Sequence, residues 1–275
     1  MLKEPSIPTR VLVLGMARAD GTLHAREVHN VAAAAGLSDQ QVRLCLRRLV
    51  DEGRYTRQGR GRAAVFTPTT DDSGRLPAVE FVQFAYDQDA GLEPWDGHWH
   101  LVGFNVPEAQ RPSRDAFRDR LVFLGGAAVH GGLYVSANRW TDLVLAEARR
   151  LDIAHTLTVI ATTDLTVAGT SEPHELAAHL WPIERLGADY TAFVERWDAH
   201  GAATDPSHAV VQVLRLATEF AAIIERDPLL PAELLPQPWP GTKARALLRY
   251  DSDLLPADDD GPAIVRALRA PAPIS

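Results

Sequence analysis

The chain has 275 residues, 46% of them hydrophobic, with a formal charge of −8. That length and apolar fraction describe a soluble globular protein with a substantial core in two or three domains. Its single cysteine, Cys45, excludes an intramolecular disulfide and a thiolate zinc site. No apolar run stands out as a membrane span of about 18 residues and no signal pattern opens the chain, so a reducing, cytoplasmic setting without a membrane is expected.

Pro8 to Ala19 reads as a first helix with Val11, Leu12, Gly15 and Met16 inward, ended by Asp20-Gly21. Thr22-Leu23-His24 is a short strand suited to pair with a later hairpin. Ala25 to Ala35 is helical, with Val28, Val31, Ala32 and Ala35 inward; His24 and His29 lack metal-like spacing and read as surface residues. A Gly36-Leu37 turn leads to the most informative stretch, Ser38 to Gly53. Ser38 and Gln41 form a capping box, and Gly53 supplies a left-handed stop. Val42, Cys45, Leu46 and Leu49 share one face, while Gln40, Arg43 and Arg47 stack on the other. Tyr55 to Gln58 and Ala63 to Thr67 are two strands around Gly59-Arg60-Gly61-Arg62, a glycine-rich tip carrying two arginines.

Helix, short glycine turn, capped basic helix and hairpin together spell a winged helix-turn-helix over residues 1–70. Charge agrees. Residues 1–68 hold 11 Lys and Arg against 6 Asp and Glu, whereas the rest holds 17 against 30, so a basic head sits on an acidic body. The start of the capped helix presents Ser38, Gln40 and Gln41 to phosphates and base edges. Arg43 or Arg47 suits a guanine, and the wing arginines suit the DNA backbone or minor groove.

Residues 71–94 read as a linker: the run from Thr67 to Pro77 is rich in turn formers, and Val79 to Tyr86 is open between a strand and a helical turn. Next come a strand from His98 to Val106, a helix from Ser113 to Leu124 stopped by Gly125-Gly126, and short strands Ala127–Val129 and Leu133–Ser136 around His130-Gly131-Gly132. A helix from Trp140 to Arg150 and a strand from His155 to Ala161 complete a βαββαβ, ferredoxin-like domain over 95–168. Residues 169–275 are helical in texture, at Glu172–Leu180, Tyr190–His200, Ser207–Arg226 and Thr242–Tyr250. A proline-rich strap, Asp227 to Gly241, interrupts them. Asp258-Asp259-Asp260 and Pro271-Ala272-Pro273 read as a solvated terminus. The fold class is therefore α+β.

Pro94-Trp95-Asp96-Gly97-His98-Trp99, and Asp227-Pro228-Leu229-Leu230-Pro231-Ala232-Glu233-Leu234-Leu235-Pro236 closing on Trp239-Pro240-Gly241, resemble the PaaX family of bacterial transcriptional repressors across nearly the whole chain. The resemblance implies a homodimer that occupies double-stranded operator DNA and releases it when an aryl-acyl coenzyme A thioester binds. It implicates Ser38, Gln40, Gln41, Arg43 and Arg47 on the reading helix, and Arg57, Arg60 and Arg62 on the wing. No residue is assigned to the effector, although Lys243, Arg245 and Arg249 are cations suited to its phosphates. The tryptophan and proline motifs are expected to fix packing.

Two other readings stand beside this one. The middle domain also resembles the CRISPR-associated ferredoxin-like nucleases, in which a carboxylate ending the first strand holds a metal. Here Asn105 takes that place and Asp96 precedes the strand, so no catalytic residue, metal or cofactor is expected. His98 with His100, and His174 with His179, lack a third ligand. The second alternative is a winged helix that docks on protein, which the basic head disfavours.

Overall fold

The computed structural model describes residues 6–69, 78–198, 205–253, 255 and 261–269. The expected linker residues 70–77, the aspartate run and the final prolines lie outside them. The chain opens with α1 (Thr9–Gly15), β1 (Leu23–His24), α2 (Ala25–Ala34), α3 (Asp39–Asp51), β2 (Tyr55–Gln58) and β3 (Val65–Pro68). It continues with α4 (Ala78–Asp89), β4 (Trp99–Phe104), α5 (Arg111–Phe123), β5 (Ala127–His130), β6 (Leu133–Ser136), α6 (Thr141–Arg150) and β7 (Leu157–Thr162). Helices complete it: α7 (Pro173–Leu180), α8 (Ile183–Trp197), α9 (Pro206–Ile224), α10 (Pro240–Asp253) and α11 (Ala263–Leu268).

Two compact units form. One gathers residues 1–83, 191–222 and 242–275; the other gathers 84–190 and 223–241.

In the first unit, β1, β3 and β2 make an antiparallel sheet in that order, with Leu23 and Arg57 both opposite Phe66. The three N-terminal helices close over it because their apolar stripes hold Leu12, Val28, Val42, Leu46 and Leu49, all buried. Two glycines set the ends of these helices. Gly36 and Gly53 have φ of +77° and +71°, which lets Leu37 donate to the Ala32 carbonyl and Arg54 to that of Leu49.

The carboxyl end returns to this unit. Ala263 donates its backbone N–H to the Ala17 carbonyl, and Ile264, Val265 and Leu268 are buried, with Ile264 close to Gly15. The expectation of a solvated terminus is therefore corrected for α11. Three apolar side chains in six residues are enough to dock a helix too short to show a period. α9 is 19 residues long and holds an 18-residue window of mean hydropathy 1.3, long and apolar enough by length and composition alone to cross a membrane. Half of that stretch is buried within the chain, and its Glu219 accepts from Arg196 and from the Trp197 indole, as in a core helix.

In the second unit, β4, α5, β5, β6, α6 and β7 follow the βαββαβ order read from the sequence. Their antiparallel sheet runs β5-β6-β4-β7. Phe117, Leu121, Val144 and Ala148 of the two helices pack with Val102, Tyr134 and Trp140 into one core. α4 occupies 78–89, with residues up to 83 in the first unit and the rest in the second. It lies inside the stretch expected to be a linker, because Val82, Ala85 and Tyr86 recur at helical spacing and are buried. α8 starts at Ile183, seven residues before the expected Tyr190, directly after Pro182.

Candidate nucleic-acid interface

α3 presents one charged face. Its capping box forms as expected: the Gln41 backbone donates to Ser38 Oγ at 3.3 Å, and the Ser38 backbone donates to Gln41 Oε1 at 2.8 Å. Capping thus engages the polar atoms of Ser38 and the carboxamide oxygen of Gln41, and Gln41 lines a small depression of about 220 Å³ with Thr9, Arg10, Leu44, Cys45 and Arg48. Cys45 itself is buried, which pushes its thiol up.

On the other side, α3 and the hairpin enclose a groove of about 650 Å³. Five of the eight predicted residues line it together: Gln40, Arg43 and Arg47 from α3, Arg57 from β2, and Arg62 from the turn before β3. The side chains of Arg43, Arg47 and Arg62 are 73%, 71% and 59% exposed. Arg60 is exposed on the hairpin tip, where it does not line the groove.

Three residues that the sequence reading left aside belong here. Leu44 is a large apolar side chain, 38% exposed, at the ridge between the two depressions. His29, expected on the surface, is 5% exposed, and its Nδ1 lies 2.7 Å from Asp39 Oδ1. The signal was present, since His29 falls on the same stripe of α2 as Ala25, Val28 and Ala32. Asp39 opens α3, 3.6 Å from Arg43 and 3.7 Å from Arg62. The His29 hydrogen bond is the main influence on its carboxyl; burial, next, raises it, but that bond together with the charges of His29, Arg62 and Arg43 holds it below the usual carboxylate range. The Asp39/Arg43 spacing of four was the legible clue.

Comparison with known proteins bears on the chain beyond these elements. The PaaX protein central Cas2-like domain matches residues 92–177, and the PaaX-like protein C-terminal domain matches 181–258, together more than half of the sequence. The chain belongs to the PaaX family. No curated protein matches it. The solved structure of the uncharacterized protein Rv0674 from Mycobacterium tuberculosis is similar at 20% identity, with a TM-score of 0.58 and 94% of each chain covered. At that identity the likeness is one of fold.

The family's tryptophan and proline motifs are packing devices in this chain. Trp95 donates to the His98 carbonyl and lies 5.5 Å from Trp99, which stacks on Trp181 at 6.3 Å. In the strap, the Leu229 carbonyl accepts from Gln88 and Asn138, and Asp227 accepts from Tyr190. Asp96, the carboxylate before β4, is 12% exposed and accepts from Arg139 at 2.8 Å, His100 at 3.1 Å and the His98 backbone at 2.9 Å. Burial raises its carboxyl, but Arg139, the His98 N–H and His100 outweigh that and leave it below the usual range. Both oxygens are engaged within the protein. Asn105 is exposed just beyond β4, and among the described residues no group of three or more His, Cys, Asp or Glu is arranged to hold a metal ion.

Of the cations considered for an effector's phosphates, Lys243 is 2.9 Å from Asp198, and Arg245 is 5% exposed.

Proposed function

We propose that this PaaX-family chain is a transcriptional regulator that binds double-stranded DNA through an N-terminal winged helix-turn-helix. α3 enters the major groove and the β2–β3 hairpin grips the backbone beside it. The observation that carries the reading is the groove between α3 and the hairpin, which Gln40 and four arginines, Arg43, Arg47, Arg57 and Arg62, line together. A phosphate strand fits such a groove by charge, and exposed guanidinium groups give it bidentate partners. Gln40 and Arg43 reach base edges, Arg47, Arg57 and Arg62 hold phosphates, and Arg60 extends the grip at the tip. Ser38 and Gln41 act by fixing the start of the helix.

On this reading residues 1–70 are the head and 71–94 its connection, while 95–168 and 169–275 form a body that pairs and responds. The protein is a cytoplasmic homodimeric repressor, as its family resemblance implies, with half-sites about 34–36 Å apart. An acyl- or aryl-acyl-coenzyme A thioester releases it.

The test uses the full-length protein and duplexes enriched by it from a random pool. Affinity measured by fluorescence anisotropy should fall steeply with salt, with a log–log slope of roughly −3 to −4 per protomer if four arginines neutralise phosphates. A flat salt dependence would exclude the reading and favour protein docking. Thermal shift against a panel of coenzyme A thioesters, followed by competition with bound duplex, tests the effector.

A further inference from the structure

We propose that Asp39 is a positioning residue of the groove: anchored by the buried ring of His29, it sets Arg43 of α3 and Arg62 of the hairpin in register and disfavours unspecific phosphate. This rests on the DNA-binding reading above. The geometry is a fan. Asp39 Oδ1 takes His29 Nδ1 at 2.7 Å and faces Arg62 Nη2 at 3.7 Å, while Oδ2 faces Arg43 Nη2 at 3.6 Å. One carboxylate thereby joins α2, α3 and the hairpin.

Folding stability accounts for a hydrogen-bond partner to the buried His29 ring, but not for the two arginines gathered on the same carboxylate. Asp39 is 47% exposed and its two arginine partners are more so, and exposed ion pairs of this kind contribute little to stability. A favourable place for an acid at a helix start explains an aspartate there. It explains neither the buried histidine that holds the carboxylate nor the reach of a hairpin arginine towards it. Beside four arginines, moreover, a negative charge weakens attraction to every polyanion.

The compensation is selectivity. Arginine side chains lose much rotamer freedom when they bind, so two guanidinium groups already oriented bind a matching duplex at lower entropic cost. A duplex that does not match meets the same carboxylate as a repulsive element, and specificity is the difference between the two.

The experiment measures dissociation constants of the full-length protein for a duplex enriched from a random pool and for its scrambled counterpart, with thermal melts alongside. Asp39→Asn should weaken the enriched duplex about five- to tenfold while tightening the scrambled one about two- to threefold, as expected when a repulsive charge is removed. His29→Leu keeps the charge but frees it, so the enriched duplex should weaken and the scrambled one stay unchanged. If His29→Leu melts early, His29→Asn, which carries a donor near the Nδ1 position, should keep the wild-type ratio; a ratio as low as that of Asp39→Asn overturns the proposal. So does an Asp39→Asn variant that discriminates as well as wild type, or one whose two affinities move by the same factor. A wild-type protein that enriches no duplex at all overturns the DNA-binding reading and this proposal with it.

Discussion

The head and the Cas2-like sheet each hold a carboxylate among basic side chains, yet the two clusters differ in what they leave to solvent. Around Asp96 the carboxylate itself is 12% exposed and is held by direct hydrogen bonds from a backbone N–H, a strand histidine and Arg139 at 2.8 Å, although that arginine is 78% exposed. Around Asp39 one anchor is buried, but the arginines are exposed, 3.6 Å and 3.7 Å away, and line an open groove. A carboxylate largely shielded and satisfied by short hydrogen bonds belongs to the fold; one that is 47% exposed, with its arginines at longer range along a groove, leaves those arginines available to a ligand. Substitutions should therefore divide cleanly. Those in the sheet unit should change melting and leave DNA affinity alone, and those in the groove should do the reverse.

The largest effect is expected at Gly125. It has φ of +82°, and a side chain there would run into the backbone of Pro228 in the strap. Gly125→Ala should destabilise the sheet unit by about 2–4 kcal/mol in denaturant titration. Next comes Asp96→Asn, which leaves His100 and Arg139 without their carboxylate and should cost about 1–3 kcal/mol at neutral pH. Because the folded carboxyl titrates below its unfolded value of about 3.9, its contribution is fully present above that pH and is lost as pH falls through the folded value. The gap between wild type and variant should thus close in acid. A constant gap would mean that Asp96 acts by shape alone.

The sequence carried the fold further than the site. Ser38, Gln41 and Gly53 announce α3 because caps are local chemistry, and the strand and helix periods of residues 98–161 are long enough to order six elements. α11 was hidden, since Ile264, Val265 and Leu268 acquire meaning only once the chain packs them, with Ile264 against Gly15 at the end of α1. The same holds for His29 and Asp39. Ten positions apart and on different helices, they meet only across a turn whose angle the sequence pattern does not specify. Arginines on a helix face can be read from spacing, but whether a hairpin arginine joins them depends on sheet register, here Arg57 opposite Phe66.

In the groove the effects move from stability to recognition. Arg43→Ala should cost about 1–3 kcal/mol on an enriched duplex and flatten base preference at one position, with melting unchanged. Arg60→Ala is the mildest and sharpens the comparison most. This residue sits on the tip outside the groove, so it should weaken enriched and scrambled duplexes alike and make the salt slope shallower by about one unit. If Arg60→Ala instead changed the preference among duplexes while Arg43→Ala did not, the hairpin and not α3 would be the element that reads sequence. The division between a reading helix and a gripping wing would then be reversed, although the groove itself would stand.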